Sequence, residues 1–259
     1  MEYLVSNFTT VEKIYIDKVP AYVITPKTDE KKYKTIIFYH GWSSCAKNQI
    51  FRASIFANYG YQVILPEAQY HGERGSLDYD DLDITKRYLL EVIMHNIEEF
   101  PSIFEYVVKE LNADEKNIIV AGHSMGAMTA GGLFTFKKSL KAGLIFNGCM
   151  DWKALVNELI KDEDEISYER MRINDFMLQM NPMIHLEDIK DRALLLFNGE
   201  NDDVVNPLPQ ENFYKKAVCE YENKEIICFE KFEKTYHQLT TQMLEEAIIF
   251  LKEKVEVID

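Results

Sequence analysis

Residues Ile118 to Gly132, IIVAGHSMGAMTAGG, gather four of the 11 glycines of a 259-residue chain around one serine. Ser124 stands in the pattern Gly122-His123-Ser124-Met125-Gly126, with β-branched apolar residues before it and small residues after it. Two readings meet this pattern: close packing of a helix on a strand, or a serine presented for chemistry. A sharp strand-to-helix turn strains its central residue, and side chains two positions to either side collide unless they are glycine. Gly122 and Gly126 fit that turn, whereas Gly131 and Gly132 are expected to let the helix lie close to the sheet. A serine hydroxyl attacks a carbonyl only when a base takes its proton, and the base needs an orienting carboxylate. The turn therefore predicts an acid and then a histidine after later strands. LLLFNGENDDVVNP supplies Asp202 and Asp203 directly after an apolar run, and FEKTYHQLT supplies His237 ahead of the last helix.

Such distant side chains meet only if the fold gathers the ends of their strands. The chain alternates strand-like and helix-like patterns. VEKIYI and AYVITP read as an opening pair of strands with Val19–Pro20 in the turn between them. KTIIFYH, YQVILP, NIIVAG, AGLIFNG, RALLLFNG and EIICFEKF read as further strands. QIFRASIFANYG has helical spacing and stops at Gly60, a helix-ending glycine. A long helical pattern runs from about Ile84 to Leu111, MGAMTAGGLFTFKK follows the serine, and TTQMLEEAIIFLKEKV closes the chain. Continuous apolar strands separated by helices indicate a mostly parallel sheet covered on both faces. Ligands bind at the carboxyl edge of such sheets, where all three candidate side chains would gather. Between Cys149 and Lys190 the strand signal lapses. WKALVNELI puts Trp152, Leu155, Val156, Leu159 and Ile160 on one helical stripe, so residues 151–189 read as a helical insertion within a single domain spanning 1–259.

The bulk properties narrow the partners. A net charge of −14 repels phosphate backbones and anionic membranes, which argues against nucleic acid and membrane surfaces. The first twenty residues lack a basic start followed by an apolar run, and no stretch has the apolar length of a membrane span. Cys45, Cys149, Cys219 and Cys228 are scattered without a C-x-x-C pair and read as free thiols of a reducing cytoplasm. No H-E-x-x-H or comparable ligand spacing occurs, so neither a metal nor another cofactor is expected.

Taken in order, HGW after an early strand, GHSMG at the serine, GENDDVVNP after a late strand and His237 near the end resemble the α/β-hydrolase superfamily across essentially the whole length. Within it the chain looks most like small bacterial dienelactone-hydrolase and prolyl-oligopeptidase-like serine esterases, and LPEAQYHGERG is similar to a loop those proteins carry. The resemblance implies an α/β-hydrolase fold with a small helical cap. It implies Ser124 as nucleophile, His237 as general base and Asp202 as orienting acid, because the family spacing G-x-x-D-x-x-V matches Gly199, Asp202 and Val205; Asp203 is the rival. It also implies an oxyanion hole from the backbone N–H groups of Met125 and of Trp42, which follows His40-Gly41. The expected activity is hydrolysis of a small-molecule carboxylic ester through an acyl-enzyme, without a cofactor and compatible with a homo-oligomer. A peptidase or thioesterase with the same three residues, or a binding protein on the same fold, are the alternatives. Two departures stand out: Tyr236 precedes the histidine where glycine is commoner, and no propeller-sized extension is present.

The remaining polar residues divide between roles. His40 and His123 are expected to hold their loops, and His95 and His185 to be surface or core. His71, Glu73 and Arg74 in HGERG either touch substrate or form a turn with an internal Arg–Glu pair. Met171, Met177, Met180 and Met183, with Phe176 and Leu178, either pack the insertion or form a pliable apolar lid. The run Asp162-Glu163-Asp164-Glu165 is a solvated helix end or loop. Cys45 lies close to the expected oxyanion loop but is not the expected nucleophile.

Overall fold

The computed structural model describes residues 6–161, 163 and 165–257. Eight strands form one sheet: β1 (Thr9–Ile16), β2 (Val19–Pro26), β3 (Tyr33–Tyr39), β4 (Tyr61–Pro66), β5 (Ala113–His123), β6 (Ala142–Phe146), β7 (Ala193–Gly199) and β8 (Ile227–Phe232). Their spatial order is β1-β2-β4-β3-β5-β6-β7-β8. The opening strands pair antiparallel to one another and to β4, and every pair from β4 through β8 is parallel. This is the α/β-hydrolase arrangement, and the sequence explains it. β4, β6, β7, most of β3 and the second half of β5 are nearly continuous apolar runs because both of their faces are covered, whereas β1, at the sheet edge, leaves Thr10, Glu12, Lys13 and Tyr15 exposed.

The opening turn sits two residues earlier than the sequence pattern suggests. Val19 and Pro20 already belong to β2, and the chain reverses at Asp17–Lys18, with Asp17 at φ 51°. Aspartate tolerates that left-handed conformation better than most residues.

Among the described residues seven α-helices connect or follow the strands: α1 (Ile50–Asn58), α2 (Leu82–Lys109), α3 (Met125–Phe136), α4 (Trp152–Ile160), α5 (Tyr168–Gln179), α6 (Leu208–Glu220) and α7 (Thr241–Phe250). Helix α2 starts where Asp81 accepts the backbone N–H of Asp83 at 2.8 Å. Its second half buries Phe100, Ile103, Phe104 and Val107, one stripe at helical spacing, and it tolerates Pro101. Helix α3 is buried on every side except at its last residue, Phe136. A helix apolar all round belongs in the interior, and its axis runs directly from the serine.

Gly131 and Gly132 do not chiefly serve the sheet. A Cβ on Gly131 would strike the Met150 sulfur, and one on Gly132 would come closer than 3.0 Å to the Trp152 ring. These glycines let α3 receive the start of the segment between β6 and β7. That segment holds α4 and α5 and two short 3-10 turns, Pro182–Ile184 and Leu186–Asp188. Trp152, Val156, Leu159 and Met177 join Leu89, Leu90, Val92, Ile93, Met125 and Met128 in a second apolar cluster beside the main core. The four methionines do not act together: Met177 is buried, Met180 edges the second cluster, Met183 packs on the main core, and Met171 is 48% exposed. Glu163 pairs with Arg170 at 2.7 Å and Glu165 is exposed; Asp162 and Asp164 lie outside the described residues.

Candidate active site

Ser124 sits between the end of β5 and the start of α3 at φ 58°, ψ −122°. Its N–H donates to the Phe146 carbonyl at 3.0 Å, which anchors the turn to β6. The flanking glycines are required. A Cβ on Gly122 would come closer than 3.0 Å to the Gly126 carbonyl, and one on Gly126 closer than 3.0 Å to the backbone oxygens of Tyr39 and His40. Backbone atoms cannot rotate away, so no other residue fits. The turn projects the serine from the sheet's carboxyl edge, 9% exposed.

Two further loops at that edge bring partners to it. Asp202 lies between β7 and α6, and His237 between β8 and α7. His237 Nδ1 donates to Asp202 Oδ2 at 2.8 Å, and the Ser124 hydroxyl donates to His237 Nε2 at 2.8 Å. The direction follows from the carboxylate, which can only accept; it fixes the ring proton on Nδ1 and leaves Nε2 with a lone pair for the serine. The other carboxylate oxygen of Asp202 accepts the N–H groups of Val204 at 3.0 Å and Val205 at 2.8 Å. One oxygen is thus held by the backbone while its twin faces the imidazole. Asp203, one residue on, is exposed.

The acid loop and the histidine loop are joined through their backbones. Glu200 N–H donates to Phe232 O at 3.0 Å and Asn201 N–H to Thr235 O at 2.9 Å. Gly199 makes this approach possible, since a Cβ there would collide with the carbonyls of Thr235 and Tyr236. Tyr236 needs no glycine's freedom in its own position: its ring points out and is 54% exposed.

The candidate oxyanion donors come from two elements. Met125 is the first residue of α3, where a backbone N–H has no partner within the helix. Trp42 follows Gly41, and a Cβ on Gly41 would lie 3.2 Å from the Ser124 Cβ, so this loop rests against the serine. Buried histidines support the loop. His40 Nδ1 donates to Gly41 O at 2.9 Å while its Nε2 accepts Ala68 N–H at 3.1 Å. His71 lies between the carbonyls of Gln69 and Trp42, and its ring is 5.4 Å from the Trp42 ring. Burial lowers the pKa of His71, and the neighbouring His40 adds to that effect.

The sequence left two readings of HGERG open, and the internal Arg–Glu pair of one of them is not formed. Arg74 forms its ion pair with Glu99 of α2 and also binds Glu67 O and the Gln69 side chain, while Glu73 pairs with Lys13 of β1. The segment is a brace between α2, β1 and the Trp42 loop. His95 pairs with Glu91 and Glu98 on the α2 surface, and His185 with Asp188.

His123 packs beside the histidine that faces the serine, with ring centroids 5.0 Å apart. Burial, reinforced by the charge His237 can carry, pushes its pKa down to about 3. A cavity of about 640 Å³ opens next to Asp202, walled by Met128 and Cys149, by Leu155 and Glu158 of α4, and by Val205. Burial pushes the Cys149 thiol up to about 12, which makes it a poor nucleophile. Cys45 is half-buried and free. Among the described residues no cluster of three or more His, Cys, Asp or Glu is arranged to hold a metal, and no helix is long and apolar enough to cross a membrane.

Known proteins share this architecture. Esterase YjfP of Escherichia coli (strain K12) is 26% identical over 222 residues, which cover 84% of this chain and 88% of that protein. The structure of TT1662 from Thermus thermophilus superposes with a TM-score of 0.75 at 18% identity, over 96% of this chain and 98% of that one. Acylaminoacyl peptidase from Pyrococcus horikoshii matches with a TM-score of 0.70 at 19% identity, over 99% of this chain but only 43% of its own. The family model described as the prolyl oligopeptidase family matches residues 48–254, from the start of α1 to the last turn of the chain's final helix. Strands β4 to β8, the serine turn and both partner loops lie within that span, which covers most of the sequence, and the chain belongs to the prolyl oligopeptidase family of the α/β-hydrolases.

Proposed function

We propose that the protein is a serine hydrolase that cleaves a small-molecule carboxylic ester through an acyl-enzyme, with Ser124, His237 and Asp202 as its catalytic residues. The observation that carries this reading is the pair of 2.8 Å hydrogen bonds running from serine to imidazole to carboxylate. In the proposed reaction Ser124 Oγ attacks the ester carbonyl as His237 Nε2 takes its proton. Asp202 keeps the ring oriented and stabilises the imidazolium that forms. The oxyanion is received by the backbone N–H groups of Met125 and Trp42. His237 then protonates the departing alcohol and activates the water that frees the acid. The cavity sets Met128, Leu155 and Val205 against the acidic Glu158, Glu200 and Asp203, which suits a substrate with an apolar portion and no negative charge. The free thiols Cys45, Cys149, Cys219 and Cys228 favour a reducing, cytoplasmic setting.

The family match favours a second reading, a peptidase using the same residues. A fluorophosphonate probe followed by mass mapping tests the shared mechanism: modification of Ser124 is expected, and an unreactive protein would sink it. Rates on p-nitrophenyl esters, acyl thioesters and aminoacyl amides at equal concentration decide the substrate class. Faster amide than ester turnover would replace the esterase reading with the peptidase one.

A further inference from the structure

The structure assigns Asn147 as a positioning residue that locks the three loops carrying Ser124, Asp202 and His237 into one register. This rests on the serine-hydrolase reading above. Asn147 directly follows β6, is fully buried, and adopts φ 49°, a left-handed conformation that asparagine tolerates better than most side chains.

Every polar atom of its side chain reaches a different segment of the site. Oδ1 accepts the N–H of Gly199, at the head of the acid loop, at 2.8 Å. Nδ2 donates to the carbonyl of Gln238, the residue after His237, at 2.8 Å. The same amide nitrogen donates at 3.2 Å to Nε2 of His123, the residue before Ser124. Its backbone N–H donates to Phe197 O of β7 at 2.7 Å. The orientation of the amide is fixed by chemistry: Gly199 offers a proton and needs the oxygen, whereas the Gln238 carbonyl needs the NH₂.

Asparagine alone meets this set of demands. Aspartate has the same shape but no proton for Gln238 or His123. Serine is too short to span three loops, and glutamine adds a methylene in a fully packed site. The contact with His123 has a second effect. By donating to Nε2 it keeps the His123 proton on Nδ1 and the ring neutral, so no fixed positive charge stands beside His237. Asn147 touches none of the reacting groups; it sets where they stand.

Asn147→Gly isolates the side chain, since glycine keeps the positive φ and the backbone bond to Phe197. We expect kcat on an ester to fall about ten- to a hundredfold, with KM within about twofold, because a loop misplacement near 1 Å costs that much. The NMR signal of the His237 Nδ1 proton shared with Asp202 should weaken or broaden in parallel, a change that loss of overall stability would not produce in folded protein. Wild-type kcat together with an unchanged signal would overturn the assignment. Asn147→Asp serves if the glycine variant fails to fold: it retains the Gly199 bond and loses both donated ones. It too must lose kcat; undiminished turnover would overturn the assignment equally. Should the wild-type enzyme itself ignore the fluorophosphonate probe, the nucleophile reading fails instead, and the two failures stay distinct.

Discussion

At the scale of single residues, the arrangement separates two adjacent acids. Asp202 spends one oxygen on the N–H groups of Val204 and Val205 and turns the other to His237, while Asp203 faces solvent. Asp202→Asn should therefore lower kcat by about four orders of magnitude, since the amide favours the wrong ring tautomer. Asp203→Asn should stay within a few-fold of wild type, and steady-state kinetics on both variants decides between them. Ser124→Ala should likewise remove ester turnover by several orders of magnitude while the circular dichroism spectrum stays unchanged; a variant keeping a tenth of the activity would exclude the serine mechanism. Ser124, Asp202 and His237 are legible in the sequence because each lies in the short connection after a strand and each is a residue type with few other reasons to stand there. Asn147 and His71 are not legible in the same way. Their importance lies in partners brought from distant segments: nothing near Asn147 marks it, and HGERG marks His71 without showing that it supports the Trp42 loop.

At the scale of elements, the β5-turn-α3 unit is the part whose packing is least forgiving. A methyl group on Gly126 would press on the backbone of Tyr39 and His40 in the adjoining β3 end, with no flexible side chain to give way. Gly126→Ala should cost about 3 kcal/mol or more and shift the urea midpoint accordingly. The long apolar strands and α2 are readable because burial on both faces writes a continuous hydrophobic run in the strands and burial of one face writes a helical spacing in α2. Helix α6 is absent from the sequence pattern for an equally physical reason. Only Gln210, Phe213 and Ala217 are buried along its 13 residues, so its apolar stripe is too thin to stand out. The opening turn was misplaced because Pro20 reads as a turn residue, yet it pairs with Tyr15 close to the strand's start, where proline is tolerated.

At the scale of the whole molecule, buried imidazoles couple stability to pH. His123 has an ordinary pKa of 6.5 when unfolded and about 3 when folded, and His71 is shifted in the same direction. Below pH 6.5 the unfolded chain binds protons that the native state refuses, so stability present at neutral pH is lost as pH falls towards 3. Urea midpoints should therefore decline through this window, and His123→Gln should make the decline shallower. An equally steep decline in that variant would assign the acid sensitivity to other groups. The sheet's overall plan follows from the alternation of strand and helix patterns, whereas the contacts of the segment between β6 and β7 do not, because its helices share an apolar cluster with α2 and α3 rather than with the sheet.

That segment is fastened at two points. The Trp152 ring is wedged against Gly132, and the Trp152 backbone N–H donates to Asn181 Oδ1 at 2.8 Å, so the two ends of the excursion are closed on each other like a clasp. Between those two points, α4 and α5 rest on α2 and α3 through Val156, Leu159 and Met177, while most of their other residues are exposed or half-buried. Exchanging the exposed positions while keeping those three side chains should change what reaches the serine as the framework keeps its form, which makes the clasp the natural seam for redesigning selectivity.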